Sequence, residues 1–533
     1  MDSVFVNGKI YVDREHFEEA MLVKDGKIKM VGSSKDVLAA AAEECEFTNL
    51  DGYTVLPGFN DSHLHLQILG QNLGMVQLYG TVSMDELISR GKEFLEKNNP
   101  PEGRTLGGWG WNQDYFTGDV RMPTKDDLDK IAVDRPVVFY RACGHAASVN
   151  TKALEALGIT GDSKDPDGGQ IGMENGSPTG IFYERATDLF APILPPPVAK
   201  TYASQIKAAM DYAASMGITT VQSNDVTEAN TDEMLEALNL LLENDEVSCR
   251  YYGQCGFSTP KAFKKFIDGD HRAKNNDLVQ IGPLKLFVDG SLGARTALLR
   301  APYADDAKAE GIKTLADEVF DEFVRTADEN NYGVVTHCIG DGAIEMVLDS
   351  YHKIIKDGKN PNRHGLVHCQ ITDKPMLDRI KADDVQVLAQ PIFIHYDMNI
   401  VYDRVGDELA KTSYAFGTLG RMGVHVSYGT DCPVEDLNPY NNLFCAVTRK
   451  GFEGDKVYLP EEKVDIYTAI DNYTVGSAFA CNDENGRGRL KEGFLADFVV
   501  LDSDIFTIPE DDIKDVRPVA TYVGGVATYT KGE

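Results

Sequence analysis

Short hydrophobic stretches alternate with amphipathic stretches along most of the chain. Eight of the hydrophobic stretches have the length and composition of buried strands. They are TVLPGFNDSH, GITTVQSN, CRYYGQCGF, GPLKLFVDG, YGVVTHC, HGLVHCQI, VQVLAQPIF and VHVSYGTD. Helical patterns such as DEMLEALNLLLEN and LADEVFDEFVRTADEN lie between several of them. Strands that alternate with helices are typical of βα units and a parallel sheet, so we predict an α/β fold built on a (β/α)8 TIM-type barrel.

The two ends of the chain show a different pattern. Short alternating strands are broken there by Asn-Gly, Asp-Gly and Gly-Gly, and such dipeptides suit tight hairpins. Examples are VFVNGKIYV and MLVKDGKIKMVG near the start and GFLADFVVLDSD and VATYVGGVATYT near the end. Neither end is long enough to bury a core alone. We therefore predict that residues 1–56 and 485–533 pair into one small β-sandwich domain, and that residues 57–484 form the barrel.

The interval between the first and second predicted barrel strands is too long for a single crossover. It spans residues 66–205 and contains a strand-like stretch, RPVVFYRACGH, and a tryptophan-rich one, GGWGWNQDYF. We interpret this interval as a subdomain inserted over the mouth of the barrel.

Composition and charge restrict the partners. The chain has 52 basic and 84 acidic residues and a formal net charge of −32, which disfavours binding to nucleic acid or to anionic lipid. No signal-peptide pattern and no apolar run long enough to span a membrane is visible. The nine cysteines lack CxxC spacing and fit a reducing compartment. We expect a cytoplasmic protein with a small-molecule substrate, a homodimeric assembly and no nucleic-acid or membrane partner.

Candidate metal ligands fall at the ends of the predicted strands. His63 and His65 are two of only 11 histidines, and residues i and i+2 of a strand point the same way. Two such imidazoles repel each other if protonated and lose solvation if buried, and a bound metal ion would compensate for both costs. His337, His368 and Asp431 end later strands, and the active sites of these barrels lie at the C-terminal strand ends. Singly, each histidine could be structural and Asp431 could cap the next segment.

Lys285 lies on the fourth predicted strand, on the same face as Phe287 and Asp289. A buried ammonium is costly, and burial favours the neutral amine. A neutral amine can add CO2 to give a carbamate, whose two oxygens could bridge two metal ions. The alternatives are an ion pair with Asp289 or a contact with substrate only.

Several motifs together resemble the amidohydrolase superfamily. They are PGFNDSHLH, KLFVDGSLGARTA, VVTHCIGDGAI, LVHCQI and SYGTDCPVEDLNP. They are most similar to its metal-dependent amidase branch (amidohydrolase family 3), which includes the N-substituted formamide deformylases. RACGHAASVN (residues 141–150) resembles a further motif of this branch but has Cys143 where an Asp is usual, which leaves His145 in place. TGIFYERA also resembles the branch and contains Glu184.

The resemblance implies a metal centre with one or two zinc ions, which is binuclear if both are bound; manganese and iron are the alternatives. Lys285 would be carboxylated by CO2 and would bridge the ions. The implied metal ligands are His63, His65, Lys285, His337, His368 and Asp431.

The resemblance also implies hydrolysis of a non-peptide C–N bond by attack of a metal-bound hydroxide. Asp431 suits proton transfer, and His145 could donate to the carbonyl or oxyanion, unless it only packs beneath the insertion. Trp109 and Trp111 could line an apolar substrate pocket or anchor the insertion. Arg295 could bind an anionic substrate group or form an ordinary salt bridge.

Other functions remain open at this point. The nearest alternative is a different amidohydrolase-type reaction: cyclic amide hydrolysis, deamination or ester hydrolysis. A non-catalytic barrel acting as a binding module, or a metal storage or sensor protein, is the alternative from another class. The GSLGAR stretch lacks the P-loop pattern, and no GxSxG motif indicates a serine hydrolase.

Overall fold

The computed structural model describes residues 2–101, 103–143 and 145–532. The chain divides into two compact units, one of Met1–Leu66 with Ala209–Glu533 and the other of Gln67–Ala208. Within the described residues, no helix combines the length and the apolar composition needed to cross a membrane.

The strands and helices follow one another in a regular order. The strands are β1 (Ser3–Val6), β2 (Lys9–Asp13), β3 (His16–Glu18), β4 (Ala20–Lys24), β5 (Lys27–Gly32), β6 (Glu46–Asn49), β7 (Thr54–Pro57), β8 (Phe59–Leu64), β9 (Val76–Gln77), β10 (Leu106–Trp111), β11 (Val137–Arg141), β12 (Ala146–Val149), β13 (Gly169–Glu174), β14 (Ser177–Glu184), β15 (Ile218–Thr227), β16 (Arg250–Gly256), β17 (Val279–Phe287), β18 (Val334–Cys338), β19 (Gly365–His368), β20 (Gln386–Ala389), β21 (Val426–Tyr428), β22 (Phe498–Leu501), β23 (Pro518–Val523) and β24 (Val526–Thr530). The α-helices are α1 (Ser34–Ala40), α2 (Leu66–Leu73), α3 (Met84–Asn98), α4 (Lys125–Leu128), α5 (Thr151–Leu157), α6 (Ala199–Ser215), α7 (Thr231–Glu243), α8 (Pro260–Asp268), α9 (Asp317–Glu329), α10 (Asp341–Ile354), α11 (Lys374–Ala382), α12 (Ile394–Asp397), α13 (Val401–Ala410), α14 (Phe416–Arg421), α15 (Pro439–Thr448), α16 (Ile466–Asp471) and α17 (Ser477–Ala480).

Eight parallel strands form the barrel predicted from the sequence, in the order β8-β15-β16-β17-β18-β19-β20-β21. The first and last strands approach each other just beyond β21, where the Asp431 amide donates to the His63 carbonyl at 2.8 Å and the His65 amide donates to the Cys432 carbonyl at 2.8 Å. The crossover helices bury one apolar face. Helix α9, for example, buries Phe320, Phe323, Val324 and Ala327, which are spaced as one helical face requires. The (β/α)8 prediction is confirmed.

The first predicted strand is divided in two by Gly58. Strand β7 pairs with β2 and β22, whereas β8 pairs with β15 in the barrel. A side chain at Gly58 would place its Cβ 2.2 Å from the side chain of Thr219, so the chain can pass between the two sheets only without one. The predicted domain boundary after residue 56 lies beside this break, whereas the predicted strand TVLPGFNDSH runs across it.

Strands from both chain ends form two further sheets in the larger unit. One has the order β5-β4-β1-β6, and the other has the order β24-β23-β22-β7-β2-β3. Phe5 of the first sheet meets Phe498 of the second edge-on, with ring centroids 5.0 Å apart, and Tyr522 stacks on Phe498 at 4.4 Å. Aromatic contacts of this kind bury large apolar areas, which stabilises the sandwich.

The smaller unit has its own mixed sheet, in the order β13-β14-β12-β11-β10-β9. Its buried core includes Trp111, Leu87 of α3 and Phe139 of β11. A core of this size lets the unit be compact in its own right.

Candidate metal centre

The predicted ligands lie at the C-terminal ends of the barrel strands. His63 is in β8, His337 in β18 and His368 at the last residue of β19, whereas Asp431 follows β21 by three residues. All strands of the barrel run in the same direction, so their C-terminal ends meet on one face. The sheet thereby brings together residues that are hundreds of positions apart in the chain.

Asp431 is at the centre of the histidine cluster. Its Oδ1 atom lies 3.4 Å from Nε2 of His63 and 3.4 Å from Nε2 of His65. The three atoms that His63, His65 and Asp431 can offer to a metal all lie within 4.8 Å of one another. His368 approaches from the other side, with its Nε2 4.0 Å from Asp431 Oδ2. Its ring meets that of His337 edge-on at 4.5 Å.

Three of these atoms are buried and have no hydrogen-bond partner among residues 2–101, 103–143 and 145–532: Nε2 of His63, Nε2 of His368 and Oδ1 of Asp431. Burying a polar atom without a partner costs free energy, so such atoms are rare in proteins. Among the described residues, the hydroxyl of Tyr440 is also buried without a hydrogen-bond partner, so one such atom does not by itself indicate a metal site. The convergence of several lone pairs on one point distinguishes this cluster from an isolated buried atom, and it fits a bound cation.

Burial keeps the histidines neutral. It lowers the pKa of His63 and of His368 well below the usual 6.5, with further lowering from the nearby Lys285 and neighbouring histidines. Burial likewise lowers the pKa of His337 to about 3. A neutral imidazole keeps a lone pair on one ring nitrogen, which is the form that binds metals. The Nε2 atom of His337 is 3.1 Å from the Gly290 carbonyl and donates to it, which leaves Nδ1 as its free nitrogen.

Lys285 is buried at the same end of the barrel. Its Nζ atom lies 3.6 Å from the centre of the Phe287 ring and donates a long hydrogen bond, 3.4 Å, to the Leu286 carbonyl. Burial lowers the pKa of this amine to about 7. Asp289 does not form an ion pair with Lys285 within the described residues. Its carboxylate accepts instead from the amides of Leu298, Ile339 and Gly340, at 2.8–3.2 Å.

The backbone at two of these residues is in an uncommon conformation. His368 has φ of 75° and Asp431 has φ of 58°, both in the left-handed region. Non-glycine residues are seldom found there, and such residues concentrate at functional sites.

Asp61 forms hydrogen bonds with both the His63 strand and the Thr430 loop, and it is not among the residues predicted from the sequence. Its carboxylate accepts from the His63 amide at 3.2 Å, from the Thr430 amide and hydroxyl, and from the Tyr473 hydroxyl at 2.9 Å. It therefore joins the strand of His63 to the loop that ends in Asp431. It lies in the motif PGFNDSHLH, two residues before His63.

Two glutamines were missed in the same way. Gln254 Oε1 is 2.6 Å from Nδ1 of His63, and Gln390 Oε1 is 2.8 Å from Nδ1 of His368. Both occur in the apolar stretches GQCGF and LAQPIF. A polar residue at the end of such a strand was the available signal.

His145, Trp109 and Trp111 belong to the smaller unit. The exposed ring of His145 has its Nδ1 2.9 Å from Glu184 Oε2. The Trp109 indole N–H donates to the Tyr79 hydroxyl at 2.7 Å. Trp111 is wholly buried, and its N–H donates to the Phe139 carbonyl at 3.0 Å, which is the position of a core residue.

Arg295 belongs to the larger unit and is engaged with a carboxylate. Its guanidinium donates to both oxygens of Asp305, at 3.0 and 2.8 Å, and Arg404 binds the same carboxylate. The structure does not bring Arg295 into the cluster around Asp431.

Comparisons with known proteins agree with this geometry. A model of the amidohydrolase family matches residues 46–529. The chain is 33% identical to YtcJ of Bacillus subtilis, which carries an amidohydrolase name, over the full length of both chains. It is 25% identical to the N-substituted formamide deformylase of Arthrobacter pascens, with 99% of this chain and 98% of that protein covered. An uncharacterized metal-dependent hydrolase from Pyrococcus furiosus superimposes with a TM-score of 0.76 at 31% identity, covering 95% of this chain and 100% of that one.

Proposed function

The chain belongs to the amidohydrolase family, and on that premise we propose that it is a metal-dependent hydrolase that cleaves the C–N bond of a small amide or N-substituted formamide. The observation that carries the proposal is that the buried Nε2 atoms of His63 and His368, which have no hydrogen-bond partner among the described residues, converge on the carboxylate of Asp431. The names of the Bacillus and Pyrococcus relatives support an amidohydrolase and a metal-dependent hydrolase, and the name of the Arthrobacter relative supports an N-substituted formamide as the substrate class.

The donor set suits one or two divalent ions, with zinc favoured over manganese or iron because most donors are imidazole nitrogens. The proposed ligands are His63, His65, Lys285, His337, His368 and Asp431. A bound divalent cation would lower the pKa of water toward neutrality and polarise the carbonyl under attack. Lys285 would join the site as a carbamate formed with CO2, and its lowered pKa of about 7 supports that role because only the neutral amine reacts.

Asp431 would move the proton during the reaction. Its Oδ1 atom, which faces Nε2 of His63 and of His65, would bind the cation, and its Oδ2 atom would accept the proton of the attacking water. The same carboxyl group can then deliver that proton to the leaving nitrogen, which must be protonated before the C–N bond breaks. Asp431 would therefore serve both as a ligand and as the acid–base group.

His145 is the proposed donor to the developing oxyanion. The hydrogen bond with Glu184 raises the pKa of His145, which favours the imidazolium form. With Nδ1–H directed to Glu184, the imidazolium retains an Nε2–H that can donate to a negatively charged oxygen. Glu184 would thus act by keeping His145 protonated.

The remaining roles are proposals of substrate binding and location. Trp109, half-buried, would contribute to an apolar pocket, and Arg295 would bind an anionic group if it exchanged Asp305 for substrate. Trp111, which lies in the core of the smaller unit, would only anchor that unit. We further propose a small-molecule substrate, a cytoplasmic location and a homodimer, with no nucleic-acid or membrane partner; the net charge of −32 supports the absence of the last two.

Metal content per chain is the first test. Protein purified without chelator is analysed for divalent metals, and stripped protein is then reloaded with zinc or manganese. Two ions per chain would support the bridged pair, and one would favour a mononuclear site in which Lys285 contacts substrate or is structural. No bound metal, even after reloading, would overturn the hydrolase proposal.

A substrate panel tests the bond that is cleaved. N-substituted formamides, linear amides, cyclic amides, amino-heterocycles and esters are incubated with metal-loaded protein, and amine, ammonia and acid products are quantified. Metal-stripped protein is the matched control. We expect turnover of amides or formamides only in the loaded protein; turnover confined to esters, cyclic amides or amino-heterocycles would replace the proposed reaction with another of the same family.

A further inference from the structure

Two buried glutamines, Gln254 and Gln390, hold the outer ring nitrogens of His63 and His368. We propose that these amides fix the tautomer of both histidines and thereby present a bare Nε2 to the cation, so that the metal affinity of the site depends on two neutral side chains that do not touch the metal. This inference rests on the proposed function for its metal, but its statement about tautomers does not.

Each glutamine makes the same pair of hydrogen bonds. Gln254 accepts at Oε1 from His63, 2.6 Å away, and donates from Nε2 to the Ser62 carbonyl at 2.9 Å. Gln390 accepts at Oε1 from His368, 2.8 Å away, and donates from Nε2 to the Leu388 carbonyl at 3.0 Å. Both glutamine side chains are buried, with 0% and 1% of the residue exposed. Water therefore does not compete for these bonds.

The backbone carbonyls decide the orientation of the amides. A carbonyl oxygen only accepts and an amide NH2 only donates, so the NH2 of each glutamine must face its carbonyl. A rotation by 180° would bring the glutamine oxygen against a backbone oxygen at about 3 Å, a repulsive contact in a buried place. The glutamine oxygen consequently faces the imidazole, and because this oxygen only accepts, the ring nitrogen Nδ1 must carry the proton.

The bare nitrogens that result are the ones without partners. With Nδ1 protonated and the ring neutral, the lone pair of His63 and of His368 resides on Nε2. These two Nε2 atoms are buried, have no hydrogen-bond partner and approach Asp431 at 3.4 and 4.0 Å. The same arrangement occurs at two histidines on different strands, which argues that it serves a shared purpose.

A carboxylate in place of either amide would lose the hydrogen bond that the amide NH2 donates to a backbone carbonyl. Glutamate would accept the Nδ1–H but would also place a negative oxygen against the carbonyl of Ser62 or Leu388. It would add a negative charge beside the histidines. The amides are neutral, so the negative charge close to the ring nitrogens is that of Asp431. Carboxylates behind metal-bound histidines increase the basicity of the ligand, so a neutral amide leaves the imidazole a weaker electron donor.

The test combines metal affinity with direct observation of the tautomers. The variants are Gln254→Leu and Gln390→Leu, and the matched control is Gln222→Leu. Gln222 is a barrel-strand glutamine with 1% exposure that donates to Asn60 and to the Ser477 carbonyl but contacts no histidine in the cluster. Zinc dissociation constants are measured by competition with a chromogenic chelator. We expect zinc binding to weaken about 10–100-fold in each of the first two variants and to stay at the wild-type value in Gln222→Leu.

Nitrogen-15 NMR of metal-free protein labelled at histidine reports the tautomers directly, first in the wild type and then in variants of Gln254. Signals are assigned with His63→Asn and His368→Asn proteins. We expect both rings to be Nδ1–H tautomers in the wild type, and His63 to lose that preference in Gln254→Leu but to keep it in Gln254→Glu, which retains the acceptor.

The outcomes separate this inference from the proposed function. Nε2–H tautomers in the wild-type protein would overturn the inference, as would equal loss of zinc affinity in Gln222→Leu and the two test variants. Nδ1–H tautomers in a wild-type protein that binds no metal would instead uphold the tautomer assignment and defeat the proposed function.

Discussion

Two buried groups of charged residues in the larger unit differ in how their polar atoms are used. Near the start of β16, Arg250 donates to both oxygens of Asp497 at 2.7 and 2.8 Å and to the Asp277 carbonyl at 2.8 Å. The Gly524 amide also donates to Asp497, at 2.8 Å. At the opposite ends of the strands, Asp431 has an oxygen with no partner and faces ring nitrogens that also lack one.

The difference indicates what each group is for. The Arg250–Asp497 pair connects a barrel strand to the sandwich strand β22, and its bonds are completed within the protein, as expected where burial of charge must be compensated. The group around Asp431 leaves bonds unmade in the folded chain, so it costs stability until something from outside completes it. In barrels of this kind, the N-terminal ends of the strands support stability and the C-terminal ends support activity.

Replacing Asp431 by Asn should give the largest effect on activity. The amide still offers an oxygen to a cation but cannot accept and return a proton, so we expect kcat to fall by about 10²–10⁴-fold. Metal content, measured by elemental analysis, should stay close to the wild-type value. The melting temperature should not fall, because a buried, unpartnered carboxylate has been removed. A parallel loss of metal and turnover would show that Asp431 is a ligand without a proton-transfer role.

Replacing Arg250 by Met should give the opposite result. Asp497 would be left buried and unpaired, which should lower the free energy of unfolding by about 3–5 kcal/mol, while metal content and kcat at low temperature stay unchanged. Chemical denaturation followed by circular dichroism measures the first and elemental analysis the second. The double variant Arg250→Met with Asp497→Leu removes both charges and should recover most of the loss. Loss of metal in the single variant would contradict the separation of the two groups.

Lys285 should respond to pH in a defined direction. Burial lowers its pKa to about 7, so the amine is mostly protonated at pH 6 and mostly neutral at pH 8. Since only the neutral amine adds CO2, a carbamate signal in metal-free protein supplied with 13C-bicarbonate should grow as pH rises through 7, with about a tenfold change in the neutral fraction per pH unit below the pKa. Lys285→Gln protein should give no such signal, and a wild-type signal of equal strength at pH 6 and pH 8 would be inconsistent with this assignment.

Arg295 should give the smallest effect. Its contact with Asp305 is partly exposed, and Arg404 also holds that carboxylate, so Arg295→Gln should leave the melting temperature unchanged. If Arg295 binds substrate, KM should rise severalfold for an amide that carries a carboxylate and stay constant for a neutral amide of the same size. Equal KM values in variant and wild type for both substrates would exclude Arg295 from substrate binding.

Much of the fold could be predicted from local patterns. All eight barrel strands were found from their apolar composition, because a strand buried on both faces has a recognisable run of residues. The strand ends then identified His63, His337, His368 and Asp431 as candidates, because parallel strands place their C-terminal ends together. The predicted strand TVLPGFNDSH runs across the break at Gly58, beside the predicted domain boundary after residue 56, because the pairing partners of β7 and β8 separate the two strands.

The supporting residues could not be found in this way. Gln254 is 191 positions from His63, and Asp61 is 369 positions from Thr430. An amide or a carboxylate in an apolar stretch has the same local appearance whether it bonds a histidine or a backbone carbonyl. Only the closed barrel determines which group it reaches.

The sequence by itself determined the class of the fold, the kinds of donor atoms and their position at the strand ends, since these depend on residue type and on the order of strands and helices. The tertiary structure decided which of those atoms are buried, which lack a partner and which ring nitrogen carries the proton. Burial and hydrogen bonding at a site depend on everything packed around it, and in this protein those neighbours come from distant parts of the chain.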